Sequence, residues 1–524
     1  MRRARPVTSV ASRQTRPDRA SSGDLSLLAR GGMINLAGGV IYGICGFLIV
    51  AVVARGFKAS GAGLFLEGVA LFNISTDVLV LGADVGLVKF ISAHRAVATG
   101  PGPRNMLTVA LIPIGSIALA VAAVGWLAMP RLATVLGHGT VDPGTITAYL
   151  RVFVVAVPIS VVYTAAIAAT RGFGTMVPAV EVDRIGKPLL QLALVVGVVA
   201  AGFGTTALAL AWTIPVAIGC AAAFVWLTVL LRRLDRSMGS LTHDGRSLAE
   251  PFWRFAAPRG LASVFQVMVL WLDTLLLGIL RSPSEAGIYS ASSRYLLIGA
   301  FFLTAINQAL APQVGALLAA NERRRAQSVY QSATWWIVAA TWPIYLTIVI
   351  FAPLALKVFG AGFEQGAPVL VILGMAALVA TATGSVDWVL LMGGKSTWNL
   401  MNTAIALVAN VALNLLLIPH YGMVGAATAW AVSIILNNVL PTIEVRLLMG
   451  LSPFGRGFPI VVGSSLVCFG VVGAGIRLLL GPSLAALGIY VVLATVPYLM
   501  LMRRFRDMLH MRFLVQAITR AGRA

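Results

Sequence analysis

Apolar runs of about twenty residues, cut by short polar or glycine-rich stretches, fill the chain from residue 31 to 501. Such a run is what a helix needs to cross the hydrocarbon core of a bilayer. The pattern predicts fourteen membrane helices, over 31–54, 63–86, 106–129, 147–170, 186–202, 205–230, 256–280, 285–317, 330–352, 367–391, 398–418, 422–445, 457–480 and 482–501. Residues 1–30 carry seven arginines among many Ser, Pro and Ala, and cannot build a core. They are expected to form a disordered basic tail. The run that follows is too long for the apolar part of a signal peptide and shows no cleavage site, so it counts as the first helix.

Composition fits this all-α polytopic membrane class. Of 524 residues, 59% are hydrophobic and 11% charged, with a mean hydropathy of +0.91, far too little polar surface for a soluble protein of this length. The net charge of +21 would point to nucleic acid in a soluble chain, but its distribution gives a simpler cause. With the N-terminus in the cytoplasm, 31 of the 39 Lys and Arg fall on the cytoplasmic side and six outside, leaving Arg151 and Arg294 within helices. That asymmetry follows the positive-inside rule, explains the charge without nucleic acid and places both termini in the cytoplasm; the expected location is a bacterial inner (plasma) membrane. The basic tails can also touch anionic lipid.

An internal repeat organises the chain. ASGAGLFLEGVALF (59–72) matches PSEAGIYSASSRYL (283–296), with Gly63 over Gly287 at an offset of 224, and GTTALALAW (204–212) matches GMVGAATAW (422–430) at an offset of 218. The expected organisation is a tail (1–30), a first six-helix lobe (31–230), a linker (231–255), a second lobe (256–445), a terminal pair of helices (446–501) and a C-terminal tail (502–524). Because six is even, the lobes enter the membrane in the same direction, and the substrate path is expected between them.

Charges inside apolar runs are the candidate chemistry. Arg294 is the outstanding one, since a cation at a helix centre costs about 2.5–3.5 kcal/mol on insertion scales and calls for a partner or a wet cavity. Asp273 and Arg294 both lie roughly 10–14 Å from the turn between the seventh and eighth helices, counted at about 1.5 Å per residue. They are expected to pair, either as a cationic substrate site that Asp273 occupies when empty, or as a structural lock between two helices. Ser290, Arg294, Phe301, Ala305, Gln308 and Pro312 recur on one helical face as a polar-lined stripe. In the first lobe Asn73, Asp77 and Asp84 share a face, and Asp77 at mid-depth is the candidate carrier of a coupling proton or cation. Asp84 and Asp387 read as solvated helix-end residues. Glu181, Asp183, Arg184 and Lys187 cluster before the fifth helix. Arg184 and Lys187 are candidates for receiving a charged head group at the cytoplasmic mouth, against the plainer reading of a solvated charge run.

Catalytic and metal motifs are absent. LMGGKST (391–397) ends like a phosphate-binding loop, but Val389 stands where its first glycine belongs. Cys45, Cys220 and Cys468 are far apart and have no metal spacing, which leaves them as small apolar residues. No cofactor is expected.

The segments AGLF (62–65), LDTLLLGIL with AGIYSASSRY (272–295), ALAPQV (309–314) and LNLLLIPHYGMVGAATAWAVS (413–433) resemble, in this order, the polysaccharide and oligosaccharide flippases of the Wzx type. Their superfamily also holds the lipid II flippases and the multidrug and toxin extruders. The resemblance covers about residues 24–502. It implies a secondary transporter that turns a lipid-linked glycan between leaflets through a central cationic cavity. Coupling would be to a proton or sodium ion, and a glycan polymerase or ligase would be the candidate protein partner. Arg294 matches a cavity arginine of lipid II flippases, whose further arginines in the first two helices have no counterpart here, which argues against lipid II itself. A multidrug or cation extruder is the alternative within the superfamily. A membrane glycosyltransferase, which needs a large catalytic loop, and a scaffold without transport are the alternatives from other classes.

Overall fold

The computed structural model describes residues 22–97, 102–137, 142–238, 249–505 and 508. Every regular element among them is helical. In order they are α1 (Ser22–Val80), α2 (Ala83–Val97), α3 (Pro103–Gly137) and α4 (Pro143–Gly172). A π-helical segment (Ala179–Gly186) then runs into α5 (Lys187–Ala200), followed by α6 (Thr205–Met238) and α7 (Ala249–Leu280). The second half holds α8 (Pro283–Ser293), α9 (Leu296–Ala319), α10 (Arg323–Ile350), α11 (Ala352–Leu356), α12 (Ala367–Ala382), α13 (Val386–Met392) and α14 (Ser396–Glu444). It ends with α15 (Phe458–Ser465), α16 (Val472–Leu480) and α17 (Leu484–Arg504).

Among the described residues, ten helical stretches are long and apolar enough to cross a membrane. The number is below the expected fourteen partly because two stretches, Ala37–Val80 and Ser396–Met449, each contain two of the predicted segments. The first bends at Lys58 (φ 58°) and the second at Gly422 (φ 54°), so the chain reverses with almost no loop. Other predicted segments are broken: the second at Leu81–Gly82, the eighth at Arg294–Tyr295 and the tenth between α12 and α13. Residues 22–30, expected within the disordered tail, are helical, since α1 begins at Ser22; residues 1–21 lie outside the described residues.

Local chemistry sets several helix starts. Asp142 accepts the Thr145 N–H at 2.8 Å, and that bond together with the Thr145 hydroxyl holds its carboxyl below the usual carboxylate range. Ser282 accepts the Glu285 N–H at 3.2 Å and Ser483 the Ala486 N–H at 3.1 Å, capping α8 and α17. Glu285 in turn reaches the Met423 N–H at 2.9 Å, capping the second half of α14 just beyond the Gly422 bend.

The largest apolar core joins α1 through α6 to Phe252 of α7 and to Ile288 and Ala291 of α8. A second, rich in aromatic rings, packs Trp335, Trp342 and Tyr345 of α10 against Tyr490 and Tyr498 of α17. Outward faces stay apolar, as at Leu127 (79% exposed) and Leu478 (86%), where lipid replaces water as the covering medium.

Residues matched by the repeat make matching contacts. The rings of Phe65 and Trp212 lie 5.6 Å apart, and those of Tyr289 and Trp430, at the corresponding positions, 6.5 Å apart. Gly63 and Gly287 face each other where α1 crosses α8. A Cβ on Gly63 would fall 1.6 Å from the Pro283 carbonyl oxygen, and one on Gly287 2.3 Å from that of Ala59. Nothing larger than glycine fits that crossing.

Candidate functional site

A cavity of about 500 Å³ opens between the two arms of α1, the α4–α6 region, α7 and the α8–α9 break. It gathers most of the expected charges. Arg294, Asn73, Asp77, Arg184 and Lys187 all line it, together with Arg171 and Asp183. Arg294 sits at the break itself, where the helix axis is interrupted and two residues leave the regular ladder. Broken helices of this kind place polar groups at membrane depth. Its guanidinium carbon lies 5.1 Å from the ring centre of Trp271, and its Nε is buried without a hydrogen-bond partner among the described residues. A guanidinium stacked on one face and unsatisfied at its edge is prepared for an anionic ligand.

Across the cavity, the π-helical turn before α5 brings Asp183 and Arg184 to the cavity wall and leaves Glu181 exposed. Lys187 Nζ meets Asp183 Oδ1 at 2.5 Å, and Tyr163 donates its hydroxyl to the same oxygen at 2.9 Å. Arg184 packs over Gly38 and Gly39 of α1, where a Cβ would lie 3.2 and 3.4 Å from its side chain. The lining therefore carries four basic side chains, Arg171, Arg184, Lys187 and Arg294, against two carboxylates, Asp77 and Asp183. Even with the Lys187 charge offset by Asp183, the lining keeps an excess of positive charge for an anion.

Two expected cavity residues are placed elsewhere, and a third has no described side chain. Asp273 does not pair with Arg294: no ion pair joins them among the described residues. Its carboxylate instead accepts from the Tyr289 hydroxyl at 2.7 Å and from Asn414 Nδ2 at 2.6 Å, with Asn410 Oδ1 3.1 Å from the same amide nitrogen. Counting depth along two helices put Asp273 and Arg294 level but could not give the rotation of α7, which turns Asp273 away from the cavity. Ser290 faces α7 as well, buried and 3.0 Å from the Thr274 hydroxyl, because the break at Arg294 ends the continuous stripe expected through it. Gln308 lies on α9, and its side chain is outside the described residues.

Sequence reading did not single out Arg171, Trp271, Asn410, Asn414 or Glu67. The spacing of four between Asn410 and Asn414 in an apolar helix was an available signal. Glu67 is 1% exposed, packs where a Cβ on Gly278 would meet its carboxyl carbon at 2.2 Å, and has neither oxygen hydrogen-bonded among the described residues. Asp387, expected at a solvated helix end, has a buried Oδ1 and lines a second cavity.

Comparison with known proteins supplies the family context. The family described as Polysaccharide biosynthesis protein matches residues 28–318, and MatE matches residues 258–416. A relative from Haloferax volcanii, "Probable low-salt glycan biosynthesis flippase Agl15", is 25% identical over 403 residues, covering 75% of this chain and 78% of that protein. Among solved structures, the lipid II flippase MurJ in an inward closed conformation superposes with a TM-score of 0.71 at 13% identity, over 90% of this chain and 98% of that one. A multidrug resistance MATE transporter of the MOP superfamily, facing inward, gives 0.64 at 16% identity, over 80% and 98%.

Proposed function

The chain belongs to the polysaccharide biosynthesis protein family, and on that premise we propose that it is a flippase. In this reading it turns a polyprenyl-pyrophosphate-linked oligosaccharide, or a related cell-envelope glycolipid, from the inner to the outer leaflet by alternating access. One observation carries it: a cavity with four basic side chains against two carboxylates, inside a multi-pass membrane protein of this family. A pyrophosphate takes bidentate, charge-assisted hydrogen bonds from guanidinium groups, which a lysine cannot reproduce. Arg294 and Arg171 hold the head group, Arg184 and Lys187 receive it at the cytoplasmic mouth, and Asp77 with Asn73 forms the seat of the coupling proton or sodium ion.

The supporting architecture is fourteen crossings in two six-helix lobes plus a terminal pair, with both termini in the cytoplasm. The apolar faces of α15–α17 offer the prenyl chain a path beside the protein, and a glycan polymerase or ligase takes the product. Export of cations or drugs is the second reading, favoured by the MatE match over 258–416. The test is depletion of the protein followed by extraction of lipid-linked glycans and assignment of their leaflet. An inward-facing prenyl-linked glycan should accumulate. Normal glycan intermediates with raised sensitivity to a cationic drug would replace the flippase reading with the extruder one.

A further inference from the structure

A second cavity, of about 390 Å³, lies in the other half of the chain, between α7, α13 and the two arms of α14. The repeat makes it the counterpart of the first. Gln266 lines it 224 residues after Tyr42, which lines the cationic cavity, and Ile434 lines it 218 residues after Val216, which does the same. These are the two offsets of the duplicated segments, so duplication left two equivalent pockets whose chemistry has since diverged.

Where the first is cationic, the second has no basic side chain in its lining. It offers the amides of Gln266, Asn399 and Asn437, the carboxylate of Asp387 and the indole of Trp388, beside Asn438, whose amide is held by Thr383 and the Ile434 carbonyl. Phosphate is therefore excluded as its ligand. A bare metal ion is a poor fit as well, since it needs oxygens converging at about 2.0–2.6 Å, and this space is far larger. A neutral polyol suits every feature. Amides both donate to and accept from vicinal hydroxyls, an indole covers the apolar face of a sugar ring, and the volume is that of a small-ligand site. Asp387 Oδ1 is buried without a hydrogen-bond partner among the described residues, an acceptor that a hydroxyl would satisfy.

We propose that this amide-lined pocket binds a sugar residue of the substrate, while the cationic cavity on the other side of α7 binds the pyrophosphate. Val269 lines the sugar pocket and Trp271 the cationic cavity; two residues apart they stand roughly 200° apart around α7, so the thickness of one helix separates the two. A head group passing α7 is thus read in two chemical languages, charge first and hydroxyl pattern second. The proposal rests on the flippase reading above, and its test separates the two.

Binding to the purified full-length protein is measured with two probes: free polyprenyl pyrophosphate, and the glycan-bearing lipid isolated from depleted cells. Asp387→Leu and, as a second variant in case the first misfolds, Asn437→Leu should each weaken the glycan lipid at least tenfold. Free pyrophosphate should bind them within twofold of the parent, which also reports that they are folded. Arg294→Ala should weaken both probes. Equal loss of both probes in the pocket variants, no loss of either, or a changed sodium dependence with unchanged glycan affinity would overturn the sugar assignment and leave the flippase reading standing. Failure of the parent protein to bind either probe would overturn both.

Discussion

Arg294 illustrates how far a single residue can be argued. Its apolar surroundings mark it in the sequence, and the helix break places it on the cavity wall over Trp271. Replacing it with alanine removes a charged hydrogen-bond donor worth about 1.5–3 kcal/mol, so transport in vesicles should fall about tenfold to a hundredfold with little change in the amount of folded protein. Lysine should restore little of it, because the bidentate geometry is gone; equal loss of folded protein in both variants would instead make the residue structural. For Asp77, asparagine should abolish the dependence of transport on the cation gradient, and an unchanged dependence would remove it as the coupling site. Asp273 was misplaced by depth counting, yet the segments that carry the family resemblance explain it. LDTLLLGIL supplies Asp273, GIYSAS supplies Tyr289 and LNLLLIPHYG supplies Asn414, and the three meet in one buried cluster. Tyr289→Phe should cost about 1–3 kcal/mol by leaving the carboxylate short of a donor, seen as earlier thermal unfolding in detergent.

At the scale of the element, what was legible was where apolar runs begin and end; what was not legible was where they break. Hydropathy marks the arms on either side of Lys58 and Gly422 but averages over a window, so it cannot show that a single residue with positive φ, and not a loop, turns the chain between them. The breaks at Leu81–Gly82 and Arg294–Tyr295 depend on contacts with other helices, which no local pattern reports. Gly82 has a φ of +75°, and an added Cβ would fall 2.2 Å from the Ala256 carbonyl oxygen on α7. Gly82→Ala should therefore destabilise the protein by about 1–3 kcal/mol through strain alone. Gly488 in α17 has open space around it, and Gly488→Ala should act oppositely, stabilising by up to about 1 kcal/mol. Thermal inactivation of the two variants side by side gives both signs in one experiment.

For the whole molecule, the repeat was the most informative feature of the sequence, because its matched glycines turn out to touch. Gly63 and Gly287 bring α1 and α8 into backbone contact at one end of the seam, while Gly82 and Gly260 bring the α1–α2 break against α7, about 28 Å along α1 at 1.5 Å per residue. Alternating access requires such contacts to form and release in turn, and glycine makes them close without making them strong. Glu67, one turn below Gly63 and lodged against Gly278, adds a buried carboxylate whose lack of partners makes this closed seam costly to hold when ionised. A bulky residue at the crossing should therefore trap the molecule with this end apart. In a background with the three native cysteines replaced, Ala286→Cys reports on the crossing, since Ala286 is fully buried beside it. An impermeant maleimide added outside should modify that cysteine only slowly in the parent, in which the crossing opens for part of the cycle. With Gly63→Leu added, labelling should approach completion and transport should stop. Labelling that stays absent, with transport intact, would show that the seam does not open during the cycle.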